Sequence, residues 1–499
     1  MTAPRLPHSF SSRVTNALDI SAVSGRINNK LLHPFAMKLI RPSAHALLIL
    51  SAVCTPLLAE EEEDSPTRIV VTLDADELRA AAEQGDPVSQ YNLAVCYAMG
   101  QGGVEASLEE AAQWLRRAAE QGQRMAQYNL GALYAEGSGG LPQSDEEAAR
   151  WYRLAAEQNV VEAQYNMGVC CEAGRGVPAS PEEAAKWFAR AAAQGDAQSR
   201  FSLARCYAEG RGVPASPEKA AELYRLAAEQ NLAEAQCALG DCYAAGLGVE
   251  TSLDQALLWY RKAADQGNPV AQCVIGSYYL AGEGQPASPQ QAVAWYRKAA
   301  DQNFAAAQVL MGDCYIQGLG VEASAEQAVL WYRKAAEQGD PVAQYNLGVC
   351  TETGRGLPAS QQEAVAWYRK AADQGFADAQ HALAACYLEG RGVPASPEEG
   401  VRLLRAAAEQ GYAESQYILS LCYLEGRGLK ASPKEAADWM LKAAEQNHPG
   451  AQFTLAILYA RGEGVPQSES RCLLWLRRAA ANGSDDARAL LRRHGISTD

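Results

Sequence analysis

Histidine is scarce in this chain, and its scarcity limits the chemistry that the protein can perform. Only six of the 499 residues are histidine, and the three in the repetitive part of the sequence, His381, His448 and His494, are far apart. Because a zinc site needs clustered ligands, the sequence predicts no metal site and no cofactor. It also has no serine–lysine nucleophile motif and no evident pairing of a nucleophile with a base. We therefore expect no enzyme activity.

Positive charge is also too sparse for a protein that binds nucleic acid. The formal net charge is −15, and residues 1–41 carry six Lys or Arg and only one acid. Subtracting that excess of five positive charges leaves −20 on the rest of the chain. Such an acidic surface repels a phosphate backbone. We expect the partner to be a protein or a peptide.

The sequence has no apolar run of comfortable length for a transmembrane helix. Its most apolar stretch, residues 44–58, is too short. Lys38 and Arg41 precede this stretch, and Ala59 follows it, just before five consecutive acids. This layout predicts a secretory signal peptide over residues 37–59. An uncleaved leader or a membrane anchor is the alternative.

A signal peptide belongs at the start of a protein, so we expect Met37 to be the true start and residues 1–36 to be an over-extended N-terminus. Residues 60–73 are then an acidic linker. We expect an exported protein, periplasmic or extracellular, with no stable transmembrane segment once the leader is cleaved. A cytoplasmic location is the alternative if Met37 is not the start.

One stretch recurs through the rest of the chain. Its clearest copy, residues 340–375, reads DPVAQYNLGVCTETGRGLPASQQEAVAWYRKAADQG. A fixed period of this length indicates a repeat array. We expect eleven repeats over 87–483, a capping helix at 74–86 and a C-terminal cap at 484–499. The residues that open the QYNLG motif lie 36 or 37 positions apart: Gln90, Gln127, Gln164, Arg200, Gln236, Gln272, Gln308, Gln344, Gln380, Gln416 and Gln452.

Each repeat is predicted to be a pair of helices. A serine recurs at the start of the second helix, and Glu or Gln follows it three residues later in nine copies; Lys219 and Arg471 are the exceptions. This pattern predicts a capping box, in which the Glu or Gln side chain bonds back to the serine N–H. Gly or Asn ends the second helix in every copy, which indicates a left-handed backbone there.

The apolar residues of each repeat follow helical spacing. All nine tryptophans occupy one position of the second helix, and Leu223 and Leu403 occupy it in the other two copies. A row of tryptophans can stack ligands, but because leucine replaces it, we expect packing. One helix pair cannot bury both of its apolar stripes, so neighbouring repeats must stack.

Eight of the thirteen cysteines share one position in the first helix. Leu133, Tyr278 and Leu458 fill it elsewhere, which indicates a packing position. Packed helices lie about 8–10 Å apart, whereas a disulfide needs Cα atoms within about 7 Å. We therefore expect these cysteines to stay unpaired. Many thiols suit a reducing cytosol, but buried thiols are inert in any compartment. For the expected location of the protein, we therefore give the predicted leader more weight than the thiols.

These residues resemble the Sel-1-like repeat family, a branch of the tetratricopeptide-like helical repeats. The family signature, AQYNLG…Y…G.GV…S.EEA..WYRKAAEQG, is followed from Ser89 to Gly483. The resemblance implies an all-α fold, a right-handed α-solenoid of about eleven two-helix repeats whose first helices line a concave face. Members of the family typically serve as adaptors and scaffolds for protein complexes, including in the cell envelope.

Some cysteine-rich relatives have a disulfide within each repeat and have been linked to β-lactam binding or hydrolysis. In this chain Ala372 and Gln380 occupy the corresponding places, so that pattern is absent. The leading hypothesis is an exported, non-enzymatic scaffold that binds a protein through its concave face. The alternatives are a β-lactamase-like or cell-wall-active enzyme and a cytosolic adaptor.

The resemblance also indicates candidate partner-binding residues on the concave face. Related helical repeats use Asn and basic residues there to hold the C-terminal carboxylate of a peptide, and Asn129, Asn166 and Arg205 match that pattern. Asp241 and Asp313 replace apolar residues of other copies, so we expect a basic partner segment near repeats five to seven. The alternative is that the asparagines are only repeat consensus.

Overall fold

The computed structural model describes residues 75–497, so the predicted extended N-terminus, leader and acidic linker lie outside the described residues. All regular structure within 75–497 is helical. The helices are α1 Ala75–Glu83, α2 Pro87–Met99, α3 Leu108–Glu120, α4 Arg124–Glu136, α5 Asp145–Glu157, α6 Val161–Ala173, α7 Pro181–Ala193, α8 Ala197–Glu209, α9 Pro217–Glu229, α10 Ala233–Ala245, α11 Leu253–Asp265, α12 Pro269–Ala281, α13 Pro289–Asp301, α14 Ala305–Gln317, α15 Ala325–Glu337, α16 Pro341–Thr353, α17 Gln361–Asp373, α18 Ala377–Glu389, α19 Pro397–Glu409, α20 Ala413–Glu425, α21 Pro433–Glu445, α22 Pro449–Arg461, α23 Glu469–Ala481 and α24 Asp485–Arg493.

The described residues divide into two compact units, 75–271 and 272–497. Within each unit an even-numbered helix, here called an A helix, packs against the B helix that follows it and forms one repeat. Within a unit, a B helix then packs against the A helix of the next repeat. The prediction of an all-α solenoid of eleven two-helix repeats is confirmed. Its right-handedness and its concave face stay predictions.

The serines cap the B helices as the sequence predicts, but half of the predicted capping box is wrong. In all eleven repeats the serine hydroxyl accepts a hydrogen bond from the third residue's backbone N–H. The serine's own N–H donates to a carbonyl in the last turn of the A helix, as in Ser360 to Thr351 at 2.9 Å. This bond from the serine N–H to the A helix takes the place of the bond expected from the Glu or Gln side chain. The third residue therefore need not be Glu or Gln, which explains why Lys219 and Arg471 are tolerated.

A glycine in the loop between the two helices also forms a contact between repeats. Gly212 has a φ of 69°. A Cβ atom on Gly212 would overlap the carbonyl of Pro181, which begins the B helix of the preceding repeat. The position therefore requires glycine for its backbone angle and for the close approach.

Buried glutamines connect each repeat to its neighbours. The side-chain N–H of Gln344 donates to the carbonyl of Ala336 in the preceding B helix at 3.2 Å. The Gln344 side-chain oxygen accepts a hydrogen bond from Gln374, just after the B helix of its own repeat, at 2.9 Å. Gln344 is 4% exposed, so these bonds satisfy polar groups that water cannot reach. The glutamine ladder comprises such residues: Gln90, Gln127, Gln164, Gln236, Gln308, Gln344, Gln380, Gln416 and Gln452.

The centre of most repeats is an A-helix glycine against a B-helix ring. Tyr368 is 1% exposed, and a Cβ atom added to Gly348 would lie 2.6 Å from its ring. Repeat nine has Ala384 in place of the glycine and Leu404 in place of the ring. The residue on the A helix is larger there, and the residue on the B helix is smaller. The glycine is thus matched to the ring.

The tryptophans and cysteines are packing residues, as the sequence predicts. Five of the nine tryptophans are buried and four are half-buried. The ammonium of Lys370 lies 3.9 Å from the centre of the Trp367 ring, so the repeat's own lysine covers that ring. The twelve cysteines within 75–497 form no disulfide, which confirms the expectation that they stay unpaired.

The match between glycine and ring can be tested with a double-mutant cycle at Gly348 and Tyr368. We expect Gly348→Ala to destabilise the protein by about 1–3 kcal/mol through overpacking, despite alanine's better helix propensity. Tyr368→Leu should relieve that overlap, because the double variant reproduces the pair at Ala384 and Leu404. Urea unfolding followed by circular dichroism measures the effects. Strictly additive effects of the two substitutions would contradict the match.

Candidate partner-binding surface

The predicted site residues lie at two positions of the A helices, two and five residues after the opening glutamine. These positions are three residues apart, so they share one stripe of the helix. Asn129, Asn166, Arg205 and Asp241 lie on α4, α6, α8 and α10 of the 75–271 unit, in four consecutive repeats. Asp313 lies on α14, in the 272–497 unit.

The two asparagines differ in accessibility. Asn129 is 1% exposed and is part of the packed interior. Asn166 is half-buried, and its side chain is close enough to the hydroxyl of Tyr128 in the preceding repeat to affect the pKa of that hydroxyl. Burial raises the pKa of Tyr128, and Asn166 opposes that rise. Asn166 thus joins two neighbouring A helices and still reaches solvent.

Arg205 is a largely buried cation that its neighbours hold only loosely. Its side chain is 18% exposed, and its Nε lies 3.9 Å from the nearest Glu209 oxygen, which is longer than a hydrogen bond. The same carboxylate is 2.6 Å from Arg211 and is therefore already shared. Other repeats have valine at this position, as at Val95 and Val349. Arg205 is thus a local exception within an acidic chain.

Asp241 is hydrogen-bonded within its own repeat. The Tyr260 hydroxyl of the B helix donates to Asp241 Oδ1 at 2.6 Å. Burial raises the pKa of Asp241 to about 6, and the bond from Tyr260 opposes the rise. The carboxyl group therefore changes its charge close to neutral pH.

Asp313 has the same arrangement in its own unit. It is 8% exposed, and the Tyr332 hydroxyl donates to its Oδ1 at 2.6 Å. At the equivalent position of repeat six, the Ser277 and Tyr296 hydroxyls lie 3.0 Å apart. A polar residue here therefore gives the buried tyrosine hydroxyl a partner.

Sequence reasoning missed this pairing, although a signal for it was present. The hydrogen-bond acceptors at this position, Asp241, Ser277 and Asp313, occur in repeats that also have tyrosine nineteen residues later. Repeat eight has valine there, and its Tyr368 hydroxyl donates instead to Glu352 at 2.7 Å. A buried hydroxyl needs a hydrogen-bond partner, so comparing the two positions across copies would have revealed the pairs.

Two further properties of the described residues bear on the site. Between residues 75 and 497, no group of three or more His, Cys, Asp or Glu side chains is placed to hold a metal ion. None of the helices in that range is both long enough and apolar enough to cross a membrane.

The Asp241 environment predicts a pH-dependent stability. Since its folded pKa is raised, the favourable contribution of the neutral carboxyl is full below about pH 4 and is lost as pH rises through about 6. We expect Asp241→Asn, which keeps an acceptor for Tyr260, to be more stable than wild type at pH 7.5, by at most about 3 kcal/mol, and nearly equal to it at pH 4. Thermal unfolding at both pH values measures this difference. Asp254→Asn, an exposed change on α11, is the control; an equal gain for Asp241→Asn at both pH values would contradict the assignment.

Comparisons with known proteins agree with this architecture. Eleven consecutive copies of the Sel1 repeat match the chain, at residues 87–123, 124–160, 161–196, 197–232, 233–268, 269–304, 305–340, 341–376, 377–412, 413–448 and 449–484. No curated protein matches it significantly.

Among solved structures, the chain is similar to c5321, a protective antigen of uropathogenic Escherichia coli strains with an SLR fold. The identity is 34%, with 85% of this chain and 91% of that chain covered and a TM-score of 0.59. It is also similar to a Sel1 repeat protein from Oxalobacter formigenes, at 33% identity, with 63% of this chain and 93% of that chain covered and a TM-score of 0.47. The chain belongs to the Sel1 repeat family, whose members are helical-repeat scaffolds that generally mediate protein interactions.

Proposed function

We propose that this protein is a non-enzymatic scaffold that binds a segment of a partner protein on the A-helix stripe of its 75–271 unit. The observation that carries the proposal is Arg205. Its guanidinium is largely removed from water, and the carboxylate nearest to it is shared with Arg211. A partly desolvated cation gains most from a partner that brings its own carboxylate.

Residues in the repeats before and after that of Arg205 extend this surface. Asn166, one repeat before, presents a half-buried amide that can donate to a carboxylate. Asp241, one repeat after, accepts a hydrogen bond from Tyr260 on its Oδ1 atom. Asn129, at 1% exposure, is too buried to contact the partner directly.

A basic partner segment at Asp241 and Asp313 stays a prediction. Each carboxylate already accepts a hydrogen bond from a tyrosine hydroxyl. A lysine or arginine of the partner would have to share the carboxylate with that hydroxyl. We therefore favour an acidic group of the partner, at Arg205, as the main point of recognition.

The proposed lack of enzyme activity rests on the sequence and is supported by the state of the thiols. Burial raises the pKa of Cys206 and Cys350 to about 11 and that of Cys242 to about 12. Thiols with such pKa values stay protonated at neutral pH, and the thiolate is the nucleophile. These cysteines therefore serve packing rather than covalent catalysis.

Export is the second part of the proposal. It rests on the layout of residues 37–59, with basic residues, an apolar run and Ala59 before the acidic linker. An exported scaffold would act on partners in the periplasm or outside the cell. The cytosolic adaptor stays the alternative.

The role of Arg205 can be tested with peptides that end in a free carboxylate. We expect peptides selected from a library with free C-termini to bind wild-type protein and to bind Arg205→Gln about 10- to 100-fold more weakly, because a charge-assisted hydrogen bond contributes about 1.5–3 kcal/mol. Fluorescence polarisation measures the affinities. Arg225→Gln is the matched control, since Arg225 lies on the exposed side of α9 in the same repeat.

Amidation of the peptide C-terminus, combined with Arg205→Gln, completes a double-mutant cycle. It should weaken binding to wild type but add little to the effect of Arg205→Gln, because both changes remove the same pair. Selected peptides that bind Arg205→Gln as tightly as wild type would overturn the assignment of Arg205.

Export can be tested by expressing the full chain and sequencing the N-terminus of the mature protein in each cell fraction. We expect the protein outside the cytoplasm, starting near Glu60, and we expect Leu48→Arg within the apolar run to retain it as a precursor in the cytoplasm. Val88→Arg, at a position that is 55% exposed and outside residues 37–59, is the control. Cytoplasmic wild-type protein with an intact residue 37–59 segment would favour the cytosolic alternative.

A further inference from the structure

His448 differs from the other residues that cap the A helices. The equivalent positions of repeats one, four and eight hold Asp86, Asp196 and Asp340, whose carboxylates accept a backbone hydrogen bond. At His448 the acceptor is the imidazole Nδ1, which receives the N–H of Ala451 at 3.0 Å. The A helix of repeat eleven, α22, is therefore capped by a titratable nitrogen.

The other ring nitrogen is engaged with the preceding repeat. Nε2 of His448 lies 2.8 Å from Oε2 of Glu414, in the A helix of repeat ten. A carboxylate accepts, so Nε2 must hold the proton, and Nδ1 must keep its lone pair to accept from Ala451. This geometry requires the neutral ring with its proton on Nε2.

We propose that His448 is a proton-sensitive latch between repeats ten and eleven, which opens the start of α22 when the ring takes up a second proton. The proton comes from solvent and binds the Nδ1 lone pair, so no bond other than the hydrogen bond to Ala451 is lost. The Nδ1–H and the Ala451 N–H are then two donors facing each other. The start of α22 must move away from Nδ1 while Nε2–H keeps its contact with Glu414, so α22 loses its cap.

The groups around the ring make this exchange possible. Glu414 stabilises the imidazolium, because an ion pair replaces a hydrogen bond from a neutral ring. The Tyr417 ring, from the same A helix as Glu414, lies with its centre 4.7 Å from that of His448. The backbone N–H of His448 donates to the backbone carbonyl of Ala443, near the C-terminal end of α21. Protonation of the ring leaves this contact unchanged. Acid thus exchanges a helix cap for an ion pair.

A second histidine faces the same carboxylate and does not take part. His381, in repeat nine, is bonded through Nδ1 to the Ser415 hydroxyl at 2.9 Å. Burial lowers the pKa of His381, and the charges of Glu414 and Asp378 oppose that effect. His381 therefore stays neutral at a pH where an ordinary histidine is charged, which leaves His448 as the group that responds.

Hydrogen–deuterium exchange on the full chain tests the latch. Exchange is measured at pH 7.5 and pH 5.0, and each rate is divided by the intrinsic rate at that pH. We expect the first turn of α22, from Ala451, to exchange about tenfold faster at pH 5.0 in wild type, which is the typical effect of losing an N-cap. The first turn of α12, capped by Asn268 at 3.0 Å, should not change, because an amide does not titrate.

Two variants distinguish the latch from a general effect of acid. His448→Asn supplies a cap of the kind seen at Asn268 and should abolish the pH effect. Glu414→Gln keeps an acceptor for Nε2–H but removes the charge, so the pH at which α22 opens should fall. Equal acid-induced opening in wild type and His448→Asn, or no opening in wild type, would overturn the proposal.

Discussion

The glutamine ladder is the interaction on which the stacking of repeats depends. Each glutamine of the ladder donates to a carbonyl of the preceding helix and accepts from the residue just after the B helix of its own repeat, as Gln344 does with Ala336 and Gln374. Because these amides are buried, an apolar residue in place of a ladder glutamine would leave a buried carbonyl and a buried amide without partners, at a cost of about 1–3 kcal/mol for each group. Within each unit the ladder therefore links a repeat to the one before it, in addition to the burial of apolar surface.

Departures from the consensus show which parts of the ladder are essential. In repeat four Arg200 replaces the glutamine and still donates to the Ala192 carbonyl at 3.4 Å. Arginine cannot accept, so Gln230 has no ladder bond to this position, but it keeps a bond to the carbonyl of Gly195 like the bond from Gln374 to Gly339. The same helix holds Arg205, the residue on which the proposed function rests. Repeat four thus keeps the bond to its neighbour, and Arg205 is a positive charge at a position where no other repeat has one.

Much of the architecture could be predicted because its causes are local. Serine at the B-helix start and glycine or asparagine at its end act on the adjacent backbone, so their spacing alone gave the helix pairs. The reciprocal bond of the capping box failed because the serine N–H meets a carbonyl of the A helix, about nine residues away in sequence. The candidate site was less predictable: helical spacing put Asp241 and Asp313 on one stripe, but could not show that tyrosines from the B helices already hold them.

The sequence by itself determined the period, the helix boundaries, the packing role of the tryptophans and cysteines and the family. These depend on backbone preferences and on volumes that each residue carries wherever it lies. Only the tertiary structure decided how polar groups are shared. Asn129 is buried, and Arg205 lies beside a carboxylate that Arg211 already binds. His448 both caps a helix and contacts Glu414. Hydrogen bonds and burial depend on which side chains from other helices lie within about 3 Å. No single position of the sequence shows which side chains those are.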